Sequence, residues 1–116
     1  MDQILGSLNQ VAGVKGSMVV TKDGSVVSES LGPDLERESV AAVSSLIIQV
    51  SERSLTSMGR KSFSQFILTS AHGRMVFVNM DVGYLVVITK MEMSLEQVLL
   101  EVESAARKIR GTGKRI

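Results

Sequence analysis

The chain has 116 residues, is 44% hydrophobic and carries a formal net charge of +1 at pH 7. This length suits a single domain, and a charge so close to zero argues against binding nucleic acid over a broad surface. Disulfides and thiolate metal sites are excluded because the sequence contains no cysteine. We also expect a cytoplasmic protein without a signal peptide, since the first residues lack a basic cluster and the apolar runs are too short to cross a bilayer.

Hydrophobic periodicity and turn residues predict eight elements. Apolar residues at three- and four-residue spacing indicate helices, and runs of Val, Ile, Phe and Thr indicate strands. In chain order we predict a helix at 2–12, strands at 16–22 and 25–30, a helix at 35–58, strands at 62–71, 74–80 and 84–90, and a helix at 94–110. The order α-β-β-α-β-β-β-α predicts an α+β fold, in which one layer of helices covers a five-stranded antiparallel sheet. The last strand is almost continuously apolar, so we expect it to be central.

Turn and capping residues mark the ends of these elements. An Asp-Gly pair at 23–24 predicts a tight hairpin turn between the first two strands. Asp34 is predicted to cap the second helix, and Gly59 to end it in the left-handed conformation. Ser94 and Gln97 form a capping-box pattern at the start of the third helix.

The second predicted helix carries more apolar surface than one packing face requires. On a helical wheel, two neighbouring apolar stripes contain Leu35, Ala42, Leu46 and Val50, and Val40, Val43, Ile47 and Met58. A stripe of about 100° suffices to pack a helix on its own sheet, and this helix has roughly twice that. A helix buried deep inside one domain is the alternative. With a single layer of helices we favour an interface with another chain, most simply a symmetric homodimer.

No constellation in the sequence indicates an enzyme, a cofactor site or a metal site. His72 is the only histidine and lies in a predicted turn, without a second ligand to complete a metal set. Asp23 and Asp81 also lie in turns, where turn chemistry explains them without acid–base catalysis. Residues 111–114 are similar to part of a phosphate-binding loop, but they follow a helix rather than a strand. We therefore predict a protein that is not an enzyme and needs no cofactor.

The end of the chain is strongly basic. Its cationic residues are Arg107, Lys108, Arg110, Lys114 and Arg115. Such residues favour the C-terminal end of a helix because of the helix dipole. We interpret residues 111–116 as a solvated basic tail behind a domain at residues 1–110, and a contact to an acidic partner or to a membrane surface is the alternative.

Three short patterns mark the entry to the predicted sheet, its first hairpin and its last strand. Their residues are Val11, Gly13, Val14 and Gly16, then Val19, Val20, Asp23 and Gly24, and finally Asp81, Gly83, Leu85, Val86, Val87 and Ile88. In this order, with the long apolar second helix between them, they resemble the Roadblock/LC7 family, which includes prokaryotic gliding-motility regulators. The resemblance covers about residues 2–110 of the chain.

The resemblance implies a dimer, either of identical chains or with a Roadblock paralogue. In such a dimer the second helices pair, and the third strands join edge to edge into one ten-stranded sheet. The dimer contacts that it implies here are Val40, Val43, Ser44, Ile47, Ile48, Ser51, Leu55, Phe63, Gln65 and Ile67. This expectation agrees with the excess apolar surface of the second helix.

The resemblance also implies a function. Members of the family commonly regulate or scaffold small Ras-like GTPases, and some act as GTPase-activating proteins. We therefore expect a homodimeric regulator or scaffold that stabilises one switch conformation of a bound GTPase. Neither nucleic acid nor membrane insertion is expected. A small-molecule sensor of the PAS or GAF type, and a structural adaptor in a motor or cytoskeletal complex, are the alternatives.

Overall fold

The computed structural model describes residues 1–60 and 63–112. It contains the eight predicted elements in the predicted order, so the α+β prediction is confirmed. The elements are α1 (Asp2–Asn9), β1 (Val14–Val20), β2 (Val26–Leu31), α2 (Arg37–Ser57), β3 (Gln65–Ser70), β4 (Gly73–Asn79), β5 (Tyr84–Thr89) and α3 (Leu95–Gly111). The predicted start of the third strand at residue 62 and the predicted tail beyond residue 112 lie outside the described residues. Within the described part of the chain, no helix is long and apolar enough to cross a membrane.

The five strands form one antiparallel sheet in the order β2-β1-β5-β4-β3. The prediction that the last strand is central is confirmed, because β5 lies between β1 and β4. Val86 of β5 is opposite Met18 of β1 on one side and opposite Phe77 of β4 on the other. This arrangement leaves β2 and β3 as the two edge strands.

Helices cover both faces of the sheet, so the prediction of a single helical layer is wrong. Leu85 and Val87 of β5 face one core cluster with residues of α1 and α3, whereas Tyr84 and Val86 face a second cluster with residues of α2. Successive side chains of a strand point to opposite faces, so a strand that is apolar at every position needs cover on both. The continuous apolar run in β5 therefore has a direct structural reason.

The core between the sheet and α3 is built from the apolar stripe of that helix. Val98, Val102 and Ala106 are at most 1% exposed and pack with Leu5 of α1. Burying each Val in this way contributes roughly 1.5–3 kcal/mol relative to leaving it in water. This stripe fixes how α1 and α3 lie on their face of the sheet.

Two of the predicted helix ends are confirmed in detail. Gly59 has φ +77°, and its N–H donates to the carbonyl of Thr56 at 3.0 Å. The N–H of Arg60 donates to the carbonyl of Leu55 at 2.8 Å, which completes a Schellman motif. At the start of α3, the hydroxyl of Ser94 accepts a hydrogen bond from the backbone N–H of Gln97 at 3.2 Å.

The predicted start of the second helix is wrong by two residues. The helix begins at Arg37, its N-cap is Glu36, and no side chain caps it. Asp34 lies instead in a turn, which the N–H of Leu35 closes by donating to the carbonyl of Gly32 at 3.1 Å. Asp is favoured both in turns and at N-caps, so the sequence pattern cannot distinguish the two positions.

Candidate protein-interaction face

The outer side of α2 carries an exposed apolar stripe. Val43, Leu46 and Val50 are 46%, 61% and 54% exposed. Their three- and four-residue spacing puts them on one face of the helix. Among the described elements no other helix lies on this side of the sheet, so the stripe has no cover from its own chain. An exposed apolar surface of this kind is a candidate for contact with another molecule.

The inner side of α2 is covered by the sheet of the same protomer. Val40, Ser44 and Ile48 are at most 8% exposed. Val40 and Ile48 pack in the same core cluster as Phe77 and Val86. These three predicted dimer contacts have almost no surface left to lose to a partner, because they face their own sheet. The side of α2 that is available to a partner is the opposite one.

Four further predicted contacts on α2 lie at different depths. Val43 belongs to the exposed stripe, while Ile47, Ser51 and Leu55 are half-buried. Ile47 and Leu55 pack against the core under α2. They therefore lie at the border between the inner and the outer side of the helix, where a partner can reach only part of each side chain.

A polar contact fixes the C-terminal half of α2 on the sheet. The hydroxyl of Tyr84 donates a hydrogen bond to Oε1 of Glu52 at 2.7 Å. Phe63 stacks on Tyr84 with 5.6 Å between ring centroids, and both side chains are buried. Burial raises the pKa of Tyr84, and the neighbouring carboxylate of Glu52 raises it further.

The edge strand β3 is next to this contact. It pairs with β4, and no strand of the described chain pairs with its other side. Gln65 and Ile67 are half-buried, and Leu68 is exposed. An open edge with apolar side chains is a template for pairing with another strand. The edge of β3 and the stripe of α2 are therefore the two candidate contact surfaces, which together we call the interaction face.

The start of β3 is held by Asn79 at the end of β4. The side-chain Nδ2 of Asn79 donates to the carbonyl of Phe63 at 3.0 Å, and its backbone N–H donates to the carbonyl of Ser64 at 2.9 Å. Phe63, which we predicted as a dimer contact, is buried against the core under α2. Its role in the protomer is therefore to anchor the approach to the edge strand.

Leu46, Val50 and Leu68 belong to the interaction face but are not among the predicted contacts. Leu46 and Val50 appear on the helical wheel in the first of the two apolar stripes. A wheel shows which residues share a face, but it does not show which face meets the sheet. The sequence therefore shows that Leu46 and Val50 share an apolar stripe, but it does not show that this stripe faces away from the sheet.

The other residues considered as functional candidates lie in three separate turns. Asp23 accepts a hydrogen bond from the hydroxyl of Thr21, and this bond and those from Ser25 lower the pKa of Asp23. Asp81 has φ +70° in the turn between β4 and β5, and His72 lies between β3 and β4. Within residues 1–60 and 63–112, no group of His, Asp and Glu side chains could hold a metal ion.

Comparison with known proteins assigns the family. The model of the Roadblock/LC7 domain matches residues 1–89. The chain belongs to the Roadblock/LC7 family. An uncharacterized protein of Methanocaldococcus jannaschii is 34% identical over 110 residues, which cover 95% of this chain and 96% of that protein. The resemblance noted in the sequence is thereby confirmed.

Solved Roadblock/LC7 structures have the same fold. Myxococcus xanthus MglB superposes with a TM-score of 0.83 at 20% identity, covering 93% of this chain and 89% of the MglB chain. A Roadblock/LC7 domain from Streptomyces avermitilis gives a TM-score of 0.83 at 17% identity, covering 97% of this chain and 96% of that domain. At such low identity the agreement concerns the fold alone.

Proposed function

We propose that this Roadblock/LC7 protein is a dimeric regulator or scaffold of a small Ras-like GTPase. The exposed stripe of Val43, Leu46 and Val50, together with the open edge of β3, is the observation that carries the proposal. A protein that works by association needs such a face. The proposal that the partner is a GTPase rests on what members of the family commonly bind.

Two copies bring their interaction faces together around a two-fold axis. In an isologous dimer the same residues meet on both sides, so one apolar stripe is complementary to its own copy. The stripes of the two α2 helices pack on each other, and the two β3 strands pair edge to edge. Both features remove apolar surface and unpaired backbone groups from water.

The dimer acts on its partner by binding, without chemistry of its own. A regulator shifts a GTPase between conformations only as far as its affinities for the two differ. Arg53 and Arg60 are exposed near the C-terminal end of α2, but no contact gives either the role of an arginine finger. We therefore propose that any effect on hydrolysis comes from selecting one switch conformation.

Affinity capture tests this proposal. The tagged protein is used to capture partners from extracts of its own cells, supplemented with GDP or with a non-hydrolysable GTP analogue. We expect a small GTPase that is enriched in one nucleotide state. Equal recovery in both states would make the protein a scaffold, which differs from a regulator in having no nucleotide preference. Recovery of a motor or sensor-kinase complex without any GTPase would contradict the proposal.

A variant with a broken dimer serves as the control for capture. Val43→Asp places a charge in the exposed stripe, whereas Lys22→Gln changes an exposed residue of the β1–β2 hairpin. If the GTPase binds the dimer, Val43→Asp reduces its recovery and Lys22→Gln does not. Equal recovery by both variants would place the GTPase contact within a single protomer.

A further inference from the structure

A cavity of about 630 Å³ lies at the end of the sheet away from the β1–β2 hairpin. It is formed where three connections meet: the loop from α1 to β1, the turn from β3 to β4, and the loop from β5 to α3. Lys15, His72 and Lys90 each come from a different one of these segments or from the strand beside it. We propose that this cavity binds a small phosphate-bearing molecule.

The charges around the cavity are unbalanced. Lys15 and Lys90 line it together with one carboxylate, that of Glu92, and with the imidazole of His72. A neighbouring recess of about 250 Å³ shares both lysines and adds Asp34. Among residues 1–60 and 63–112, an ion pair forms between Arg37 and Glu29. Within the same residues, neither Lys15 nor Lys90 has a carboxylate within ion-pair distance.

Such an arrangement has a physical consequence. Two ammonium groups that line one cavity repel each other, and the single carboxylate in its lining, that of Glu92, offsets only one of them. An anion between them removes that repulsion and gains charge-assisted hydrogen bonds. More than one cation converging on a single cavity favours a ligand with more than one negative charge, and a phosphate group fits that requirement. Lysine binds phosphate as a compact point charge.

The walls of the cavity are held in place by the backbone. The N–H of Lys90 donates to the carbonyl of Gly13 at 2.8 Å, and the N–H of Gly32 donates to the carbonyl of Lys15 at 2.9 Å. Nη1 of Arg74 donates to the carbonyl of Met93 at 2.6 Å, which fixes the loop before α3. Both lysines therefore start from fixed backbone positions, and preorganisation of this kind reduces the entropy cost of binding.

One further feature favours an anion, and the size of the cavity suits a small molecule. Gln97 lines the cavity from the first turn of α3, a helix of 17 residues. The N-terminal end of a helix carries a partial positive charge that favours anions. The volume also lies within the range of about 300–1,000 Å³ that is usual for small-molecule sites. The cavity is therefore large enough for a nucleotide-sized organic phosphate.

Amide chemical shifts test the site directly. The full chain, labelled with ¹⁵N, is titrated with inorganic pyrophosphate and separately with adenosine monophosphate at constant ionic strength. We expect saturable shifts centred on Gly13, His72 and Glu92. Tighter binding of the nucleotide would assign an organic phosphate, and equal or weaker binding would assign an inorganic one.

Charge-neutralising variants at the two ends of the sheet separate this site from general attraction. Lys90 is exposed, so Lys90→Gln should preserve the fold, and we expect it to weaken pyrophosphate binding by about tenfold. Lys22→Gln removes an exposed lysine at the other end of the sheet and should leave affinity unchanged. Equal affinities for both variants, or shifts scattered over the surface, would overturn the proposal.

The outcome is independent of the proposed GTPase function. Val43→Asp changes the outer side of α2, and none of the residues lining the cavity belongs to α2. We expect this variant to bind pyrophosphate as the unmodified protein does. Failure of the phosphate titration would therefore leave the dimer and its GTPase partner untouched, and the reverse also holds.

Discussion

Tyr84 reports on its own environment. It is the only tyrosine of a chain without tryptophan, so the near-ultraviolet absorbance of tyrosinate measures the ionisation of this residue alone. Burial raises the pKa of its hydroxyl, and Glu52 raises it further. In a pH titration followed by absorbance, we expect the Tyr84 hydroxyl of the native protein to stay protonated well above pH 10, which is about the ordinary pKa of tyrosine. A native midpoint at that ordinary value would contradict the buried contact.

The same shift predicts how stability depends on pH. The pKa of Tyr84 is raised in the folded state, so the folded protein holds its proton more tightly than the unfolded chain. The stabilisation is fully present below about pH 10 and is lost as the pH rises further. Glu52→Gln removes the charge of the carboxylate but not the burial of Tyr84, so the pKa of Tyr84 should fall only part of the way toward its ordinary value. Denaturant unfolding at several pH values, with Tyr84→Phe as the control, measures this contribution.

Gly73 is required by a close approach of two strands. A Cβ at this position would lie 2.4 Å from the carbonyl oxygen of Thr89, which is part of the backbone and cannot swing aside. We expect Gly73→Ala to lower the free energy of unfolding by about 1–3 kcal/mol. The control is Gly6→Ala within α1, where a Cβ meets no atom within 4 Å. That change should raise the same free energy by about 0.5–1 kcal/mol, and equal effects of the two variants would refute the steric argument.

At the scale of elements, the polar residues near the starts of α2 and α3 give different expectations for stability. Ser94 accepts the N–H of Gln97, so Ser94→Ala should cost about 1 kcal/mol of stability. Asp34 is a residue of the same capping class, but it lies outside the first turn of α2. Asp34→Ala should therefore change stability by less than about 0.5 kcal/mol. Thermal and denaturant unfolding of both variants measure the difference, and a larger loss for Asp34→Ala would place the helix start where the sequence suggested.

The elements that were predicted well are those with a strong local signal. Gly59 ends α2 because a left-handed residue is needed there, and Gly24, with φ +90°, has the same conformation in the turn of the first hairpin. The start of α2 was harder to predict because Asp34 suits both a turn and a cap. The predicted contacts on α2 mix its two sides, since Ser44 and Val43 are neighbours in sequence but Ser44 is buried and Val43 is exposed. Local sequence patterns do not show which side of a helix faces the sheet.

At the scale of the whole molecule, the outer side of α2 predicts an assembly. Val43→Asp places a charge on the exposed stripe, where a dimer would bury it without a partner. We expect the unmodified protein to be a dimer at micromolar concentration and this variant to be a monomer with an intact fold. Light scattering gives the mass, and circular dichroism gives the fold. Ile47 is a poorer test site because it also packs against its own core.

Ser44→Ala provides the matched control on the same helix. Its hydroxyl is buried and has no hydrogen-bond partner among the described residues. Removing it should leave the dimer intact and should not reduce stability, because an unsatisfied buried hydroxyl is unfavourable. Loss of the dimer in this variant, or a dimeric Val43→Asp, would contradict the assignment of the outer side as the contact.

The layered arrangement of the molecule was predictable in principle. Tyr84, Leu85, Val86 and Val87 are all buried, and only cover on both faces of the sheet achieves that. The same residues identified the central strand correctly. What the chain order did not contain was the division of three helices between two faces, because that depends on contacts between residues far apart in sequence, such as Leu5 with the residues of α3.

The two edges of the sheet differ in character, and this difference limits growth. The outer strand β2 exposes Glu29, which forms a 2.9 Å ion pair with Arg37, and its Ser28 bonds to Asp2 of α1. The outer strand β3 is apolar at Phe66, Ile67 and Leu68 instead. Charged residues discourage strand addition, so pairing through β3 would join two sheets and leave the edge that bears Glu29 at each end. We expect such an assembly to close at two chains, rather than to extend into a fibre.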